Sequence, residues 1–257
     1  MNEDSVNVAE CAGAQMFILA DGLGGHGRGD QASRLVVDKM TEVFERSCVS
    51  LDGSEPISVD AHSEAVSVPV PVGALHEADE GNLLAEGFAI SQEALTQEQR
   101  RLGLDNEMKS TLVCLHIDGD TAQWGHVGDS RLYWFRKNKL IARTLDHSVP
   151  QMLVASGEIK EKHIRFHEDR NRLIRVMGME WNAPKYELSE RCEIRREDSF
   201  LLCSDGFWEY IDEKDMAKLR KKADNSAEKW LLSMEEVVLK NGRGHNMDNY
   251  SVIGVRV

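Results

Sequence analysis

No stretch of this 257-residue sequence approaches the ~18 consecutive apolar residues that a membrane-spanning helix requires. The opening residues, Met1-Asn2-Glu3-Asp4, are acidic, the opposite of the basic leader of a signal peptide. Cysteine is sparse and scattered. Cys11, Cys48, Cys114, Cys192 and Cys203 include no C-x-x-C pair, which argues against a zinc cage or a disulfide scaffold and fits a reducing compartment. Together these absences predict a cytoplasmic protein. Positive charge is also in deficit: 31 Lys+Arg against 44 Asp+Glu leave a net −13, which disfavours nucleic acid or an anionic membrane as partner. The sequence contains no internal repeat. Its 41% hydrophobic and 29% charged residues are globular values that exclude wholesale disorder and a fibrous fold.

Several apolar runs read as strands: Met16 to Ala20, Ser110 to Asp118, Thr121 to Val127, Arg131 to Arg136, Leu140 to Thr144, Ser199 to Cys203 and Tyr250 to Val257. Tight turns at Asp118-Gly119 and Lys137-Asn138-Lys139 make their neighbours antiparallel, because a parallel return needs a crossover of a dozen or more residues. Asp30 to Ser47 carries one apolar stripe and predicts a helix capped by Asp30. Asn82 to Leu102, Asp212 to Ala223 and Ser226 to Lys240 read as three more, giving an α+β pattern. Residues 48–80 hold neither period, and Pro69 and Pro71 exclude a central strand there; the segment reads as a flexible insertion within a single domain spanning 1–257.

Four aspartates occupy strand ends: Asp21 after Ala20, Asp129 after Gly128, Asp205 after Cys203, and Asp248 before the last strand. Gathered at one edge of the sheets they would repel one another unless a cation sat among them. An all-oxygen cluster suits a hard divalent ion such as Mg2+ or Mn2+ better than zinc. Asp-Gly is also the commonest turn pair, and Asp52-Gly53 and Asp118-Gly119 read as ordinary turns. The context of Asp21 and Asp205, each ending a buried apolar strand, separates them from those two.

The motifs around these residues resemble the metal-dependent serine/threonine protein phosphatases (PPM, or type 2C). Asp21-Gly-Leu-Gly-Gly-His-Gly27 running on to Ala32-Ser33 looks like D-G-M-G-G-H…A-S, and Asn2-Glu3-Asp4 like N-E-D. Ser110-Thr111-Leu112 is similar to G-T-T, Gly128-Asp-Ser-Arg131 to G-D-S-R, and Asp146-His147-Ser148 to D-H-S. Asn171 to Gly178, Cys203-Ser-Asp-Gly206 and Asp248-Asn-Tyr-Ser251 complete the set in family order from residue 2 to 251. The resemblance implies a four-layer α/β/β/α sandwich with two stacked antiparallel sheets, here with the N-terminal strand missing. It also implies a binuclear Mn2+/Mg2+ centre. Asp21 would bridge both metals, the Gly22 carbonyl would bind one, and Asp205 and Asp248 would hold the other. Glu3 and Asp4 would act through water, and Asp129 would serve a weaker third ion. The implied reaction is hydrolysis of phosphoserine and phosphothreonine by a metal-activated water without a covalent intermediate. The implied partners are phosphoproteins made by a Hanks-type kinase, acted on by a monomer.

Two departures from the family pattern matter. An arginine four residues before the N-E-D glutamate grips phosphate in the family, and Glu3 leaves no room for it in this sequence. Leu23 stands where eukaryotic relatives carry a histidine proposed as general acid. Arg131, Arg165, Arg172 and Arg175 are candidate replacements for the phosphate grip, while His26 and His147 read as loop-structuring residues. Two rival readings stay open. Gly22-Leu-Gly24-Gly-His-Gly27 also satisfies the dinucleotide fingerprint G-x-G-x-x-G, which would demand a parallel strand soon after the following helix. A catalytically impaired phosphoprotein-binding module on the same fold is the second.

Overall fold

The computed structural model describes residues 2–24, 28–51, 81–104, 107–223 and 226–257. In chain order the elements are β1 (Asp4–Cys11), β2 (Ala14–Leu23), α1 (Gly29–Leu51), α2 (Leu83–Leu102), β3 (Lys109–Ser110), β4 (Leu112–Asp118), β5 (Thr121–Val127), β6 (Arg131–Arg136), β7 (Lys139–Arg143), α3 (Val149–Ala155), a 3-10 turn (Glu161–Phe166), β8 (Glu187–Leu188), β9 (Cys192–Glu193), β10 (Asp198–Cys203), α4 (Asp205–Trp208), α5 (Glu213–Lys222), α6 (Ala227–Asn241) and β11 (Val252–Arg256). One sheet has the order β1-β2-β4-β5-β8, with β3 on β2 and β9 on β5; the other has the order β11-β10-β6-β7. Every pairing is antiparallel. That excludes the dinucleotide reading, which needs parallel strands flanking the glycine loop.

The period of two along each strand builds the layers. In β2, Met16, Ile18 and Ala20 face α1 and α2, while Phe17 and Leu19 face the second sheet. In β10, Phe200 and Leu202 point into the space between the sheets, and Leu201 and Cys203 point towards α5 and α6. Three hydrophobic cores therefore separate four layers, as the resemblance implies. The helices begin on side-chain caps: Asn82 accepts from Leu84 and Ala85, Asp212 from Asp215, and Ser226 from Lys229. No helix among the described residues is long and apolar enough to cross a membrane.

Some boundaries differ from the sequence reading. The helix expected to end at Ser47 runs to Leu51, so the first residues assigned to an insertion are helical; residues 52–80 lie outside the described residues. The strand expected over Ser110 to Asp118 is two, separated at Thr111, whose hydroxyl turns to accept the Asp21 N–H at 2.9 Å. Strand β1 has no counterpart in the reading. Its valines, Val6 and Val8, are 51% and 53% exposed, while Ser5 and Asn7 face α1 and bond Ser33 and Thr41.

Phe88, fully buried in α2 and stacked on Tyr186 at 4.7 Å, anchors the outer core. Phe88→Ala is expected to cost about 3–5 kcal/mol, read as a lower urea midpoint at unchanged slope.

Candidate metal centre

Antiparallel pairing decides which carboxylates meet. In the β1–β2 register Asp4 stands directly opposite Asp21, so both side chains leave the same face of the sheet. Asp205 is the first residue of α4, immediately after β10; Asp129 lies in the turn between β5 and β6; Asp248 lies in the segment entering β11. The strand thought to stop at Ala20 continues to Leu23, so Asp21 is within β2 rather than beyond it.

Close backbone approaches bring these segments together. A Cβ on Gly22 would meet the Gly29 carbonyl oxygen at 2.0 Å, and one on Gly206 would meet that of Asn249 at 2.1 Å. Glycine at both positions lets the start of α1 close on β2 and lets α4 close on residues 248–249. The Gly22 N–H donates to the Glu3 carbonyl at 3.0 Å, and the Glu3 N–H donates to Asn249 Oδ1 at 3.1 Å. Ser204 Oγ ties the two sheets together. It donates to Asp4 Oδ2 at 2.8 Å and accepts the Ser251 N–H at 2.9 Å.

The electrostatics are those of crowded anions. Burial pushes Asp21 well above the ordinary carboxylate range, and Asp205, Asp4, Asp129 and Asp248 each push it further. Burial, then Glu209 and Asp248, raises Asp205 to about 7. Asp129 is raised by burial and Asp205, Asp4 by burial, and Glu3 by burial and then Asp248. Asp4 Oδ1 and Asp205 Oδ1 are buried with no hydrogen-bond partner among the described residues. Orphaned anionic oxygens in an all-oxygen cluster fit a hard divalent cation, with no histidine or cysteine among them.

Beneath the cluster lies a rigid support. Arg131 forms a two-pronged ion pair with Asp146 at 2.7 and 2.6 Å, both side chains being almost wholly buried. Its guanidinium lies 3.4 Å over the Trp208 ring, and Trp208 Nε1 donates to the Asp129 carbonyl at 2.9 Å. Arg131 is thus committed to positioning the Asp129 turn and does not replace a phosphate grip. Arg165 is likewise engaged, by Glu213 at 2.6 Å and the Trp208 carbonyl. Arg172 is near Asp169 and Arg175 near Glu187. The arginine that adjoins the carboxylates is Arg170. It pairs with Glu209 at 2.9 Å, and with Asp205 and Asp248 it lines a cavity of about 180 Å3. Sequence reasoning named neither Arg170 nor Glu209 as a site residue. Glu209 lies one helical turn after Asp205, a spacing that becomes a signal once α4 is recognised.

His147 proves structural: Nδ1 accepts the Gly128 N–H at 3.2 Å, and Nε2 faces Glu187 at 3.1 Å. Ligand atoms of His126, His147 and Glu187 lie within 4.8 Å of one another. The two rings stack at 4.7 Å and 12°, however, so their lone pairs do not converge on one ion. His26 lies outside the described residues.

A family model described as Protein phosphatase 2C matches residues 1–241. The chain belongs to the protein phosphatase 2C family. A serine/threonine phosphatase stp of Listeria welshimeri is 29% identical over 230 residues, covering 89% of this chain and 81% of that protein. The crystal structure of the Mycobacterium tuberculosis serine/threonine phosphatase PstP/Ppp superposes with a TM-score of 0.72 at 26% identity, covering 100% of this chain and 92% of that one. The catalytic domain of PstP in complex with two manganese ions matches with a TM-score of 0.69 at 25% identity over the same shares. The four-layer sandwich is thus the protein phosphatase 2C fold, and the buried carboxylates sit at the ends of its strands.

A carboxyl group raised on folding destabilises the folded state above its unfolded pKa, and does so fully above its folded one. In metal-free protein Asp205 therefore weakens stability as pH rises from about 4 to about 7. Asp205→Asn is expected to match the wild type near pH 4 and to exceed it by on the order of 4 kcal/mol at pH 8. Thermal melts in chelator across that range check this; a variant less stable than wild type at pH 8 would contradict it.

Proposed function

We propose that the chain hydrolyses phosphoserine and phosphothreonine in proteins, using divalent Mn2+ or Mg2+ and no covalent enzyme intermediate. The observation that carries this reading is the buried, mutually repelling carboxylate cluster with oxygens left unpaired. By position and family resemblance, Asp21 would bridge two ions, with the Gly22 carbonyl completing one and Asp205 and Asp248 holding the other. Glu3 and Asp4 would hold the surrounding water, and Asp129 with Asp205 would take a weaker third ion. Bound ions of this kind lower the pKa of a water from its bulk value of ~15.7 and clamp phosphate oxygens for in-line displacement.

The remaining work falls to the chain's own side chains. Arg170, at the rim of the cavity, is placed to orient a phosphoryl group entering beside Asp205 and Asp248. Glu209 holds that guanidinium in place. Ser204 is committed to Asp4 and Ser251, which keeps the Asp4 carboxylate fixed and removes the hydroxyl as a nucleophile. Burial raises the thiol pKa of Cys114 to about 12 and pushes that of Cys203 higher, so neither supplies a thiolate. None of these three groups offers an activated nucleophile, which supports direct attack by water. The orphaned buried carboxylates, costly without a cation, favour the metal-dependent enzyme over a phosphoprotein-binding module on the same fold. Substrates of a Hanks-type kinase are the phosphoproteins that the family resemblance points to.

Two sets of variants test this. Asp21→Ala, Asp205→Ala and Asp248→Ala each lower Mn2+-dependent turnover of p-nitrophenyl phosphate and a phosphothreonine peptide by at least roughly a hundredfold, with folding retained by circular dichroism. Activity near wild type in any of them, or undiminished turnover in EDTA, would refute the assignment. Arg170→Ala raises KM for the phosphopeptide about tenfold while the rise in Tm on adding Mn2+ persists. An unchanged KM would remove Arg170 from the phosphate site.

A further inference from the structure

The acidic cluster occupies one end of β6, β10 and β11, and the far ends of the same three strands meet at a groove of opposite charge. β6 leaves the Asp129 turn and ends at Lys137-Asn138; β10 is entered from Arg196-Glu197 and leaves for Asp205; β11 follows Asp248 and ends at Arg256. With Arg220 and Lys221 from the last turn of α5, these ends line a groove of about 720 Å3. Five of its described lining residues are cationic and one, Glu197, is acidic. The chain as a whole carries −13, so this concentration of positive charge runs against its composition.

The charges within the groove are poorly matched. Arg220 is only 5% exposed, yet its donors go to Ser199 Oγ at 2.9 Å and to the carbonyls of Lys137 and Glu197, all neutral acceptors. Burial and the neighbouring Arg256 hold its guanidinium below the ordinary arginine pKa. The carboxylates at hand are already engaged: Glu197 pairs with Lys137 at 3.1 Å, and buried Asp198 takes both prongs of Arg136 at 2.7 and 2.8 Å. The side chains of Arg196 and Lys221 are exposed, with no hydrogen bond or ion pair among the described residues. The carbonyl end of α5 favours Arg220 and Lys221, but it does not account for Arg196, Lys137 and Arg256, which come from other elements.

We propose that this groove docks an acidic segment of the phosphoprotein substrate. Alternate residues of an extended segment lie ~6.6 Å apart on one face, so successive Asp or Glu side chains reach cations from more than one of the four contributing elements. A single small oxyanion would meet only one part of the groove. The six residues of β10 place this docking site ~20 Å from the phosphoester site, so it selects partners without touching the reacting atoms. Anion binding here is independent of catalysis; naming the bound protein as substrate rests on the phosphatase reading.

The probe is a fluorescein-labelled peptide of alternating Glu and Ser, followed by fluorescence anisotropy at low salt, with an alternating Gln and Ser peptide as control. Wild type binds the Glu peptide, loses it with added NaCl, and ignores the control. The double variant Arg196→Glu/Lys221→Glu, both surface positions, weakens binding by at least about tenfold. Its Mn2+-dependent p-nitrophenyl phosphate hydrolysis is unchanged, while its kcat/KM falls for a phosphothreonine peptide carrying a Glu-rich stretch and not for the same peptide without it. Undiminished Glu-peptide binding by the double variant overturns the proposal. So does displacement of the probe by sodium sulfate at equal charge concentration, which would make this a free-oxyanion site, or tighter binding of single-stranded DNA of equal charge. Loss of p-nitrophenyl phosphate turnover in wild type, by contrast, would bear on the phosphatase reading alone.

Discussion

Carboxylates held together out of water repel one another, and that repulsion is the constraint around which the rest of this molecule is arranged. Asp21 feels Asp205, Asp4, Asp129 and Asp248 at once, and Asp4 and Asp205 each keep a buried oxygen with nothing to bond. Such a cluster survives folding only when the surrounding structure is stable enough to impose it. The imposition is visible in named contacts. Cross-strand register sets Asp4 against Asp21, Ser204 bolts one sheet to the other, and the Arg131–Asp146 pair stacked on Trp208 fixes the Asp129 turn from below. A divalent cation at the centre proposed here would offset this repulsion, making an arrangement that is costly alone useful when loaded.

The sandwich suits this purpose because strand ends are where it has freedom. Within the layers most buried apolar side chains belong to one of three cores. At the ends of β2, β5 and β10, and at the entrance to β11, the chain leaves those cores, and side chains from positions distant in sequence meet. The same geometry run the other way gathers basic side chains at the opposite ends of β6, β10 and β11. The sheet is thus electrically polar along its strands, with an acidic end and a basic end.

Much of this was legible in the sequence. Asp21 and Asp205 end apolar runs, and their position relative to those runs, together with motif order, pointed to convergence. The helices with clear apolar stripes and side-chain caps were equally readable. What was hidden had specific causes. Strand β1 turns its valines to solvent and its Ser5 and Asn7 inward, the reverse of the pattern that marks a half-buried strand. Strands β3, β8 and β9 are two residues each, too short for any period to register. Arg170 looked like any other residue of the charged stretch 160–170; its partnership with Glu209 exists only because the chain brings α4 beside it. Arg131 and Arg165 looked available because nothing local reveals that Asp146 and Glu213 claim them.

The strand-end carboxylates are proposed to form one cation-binding centre. Anomalous diffraction at the manganese edge from crystals grown in Mn2+ tests it most directly. The expected result is two strong peaks bounded by Asp21, Gly22, Asp205 and Asp248, with a weaker one beside Asp129. A map with no peak among those residues, or with its only peak between His126 and His147, would contradict the account.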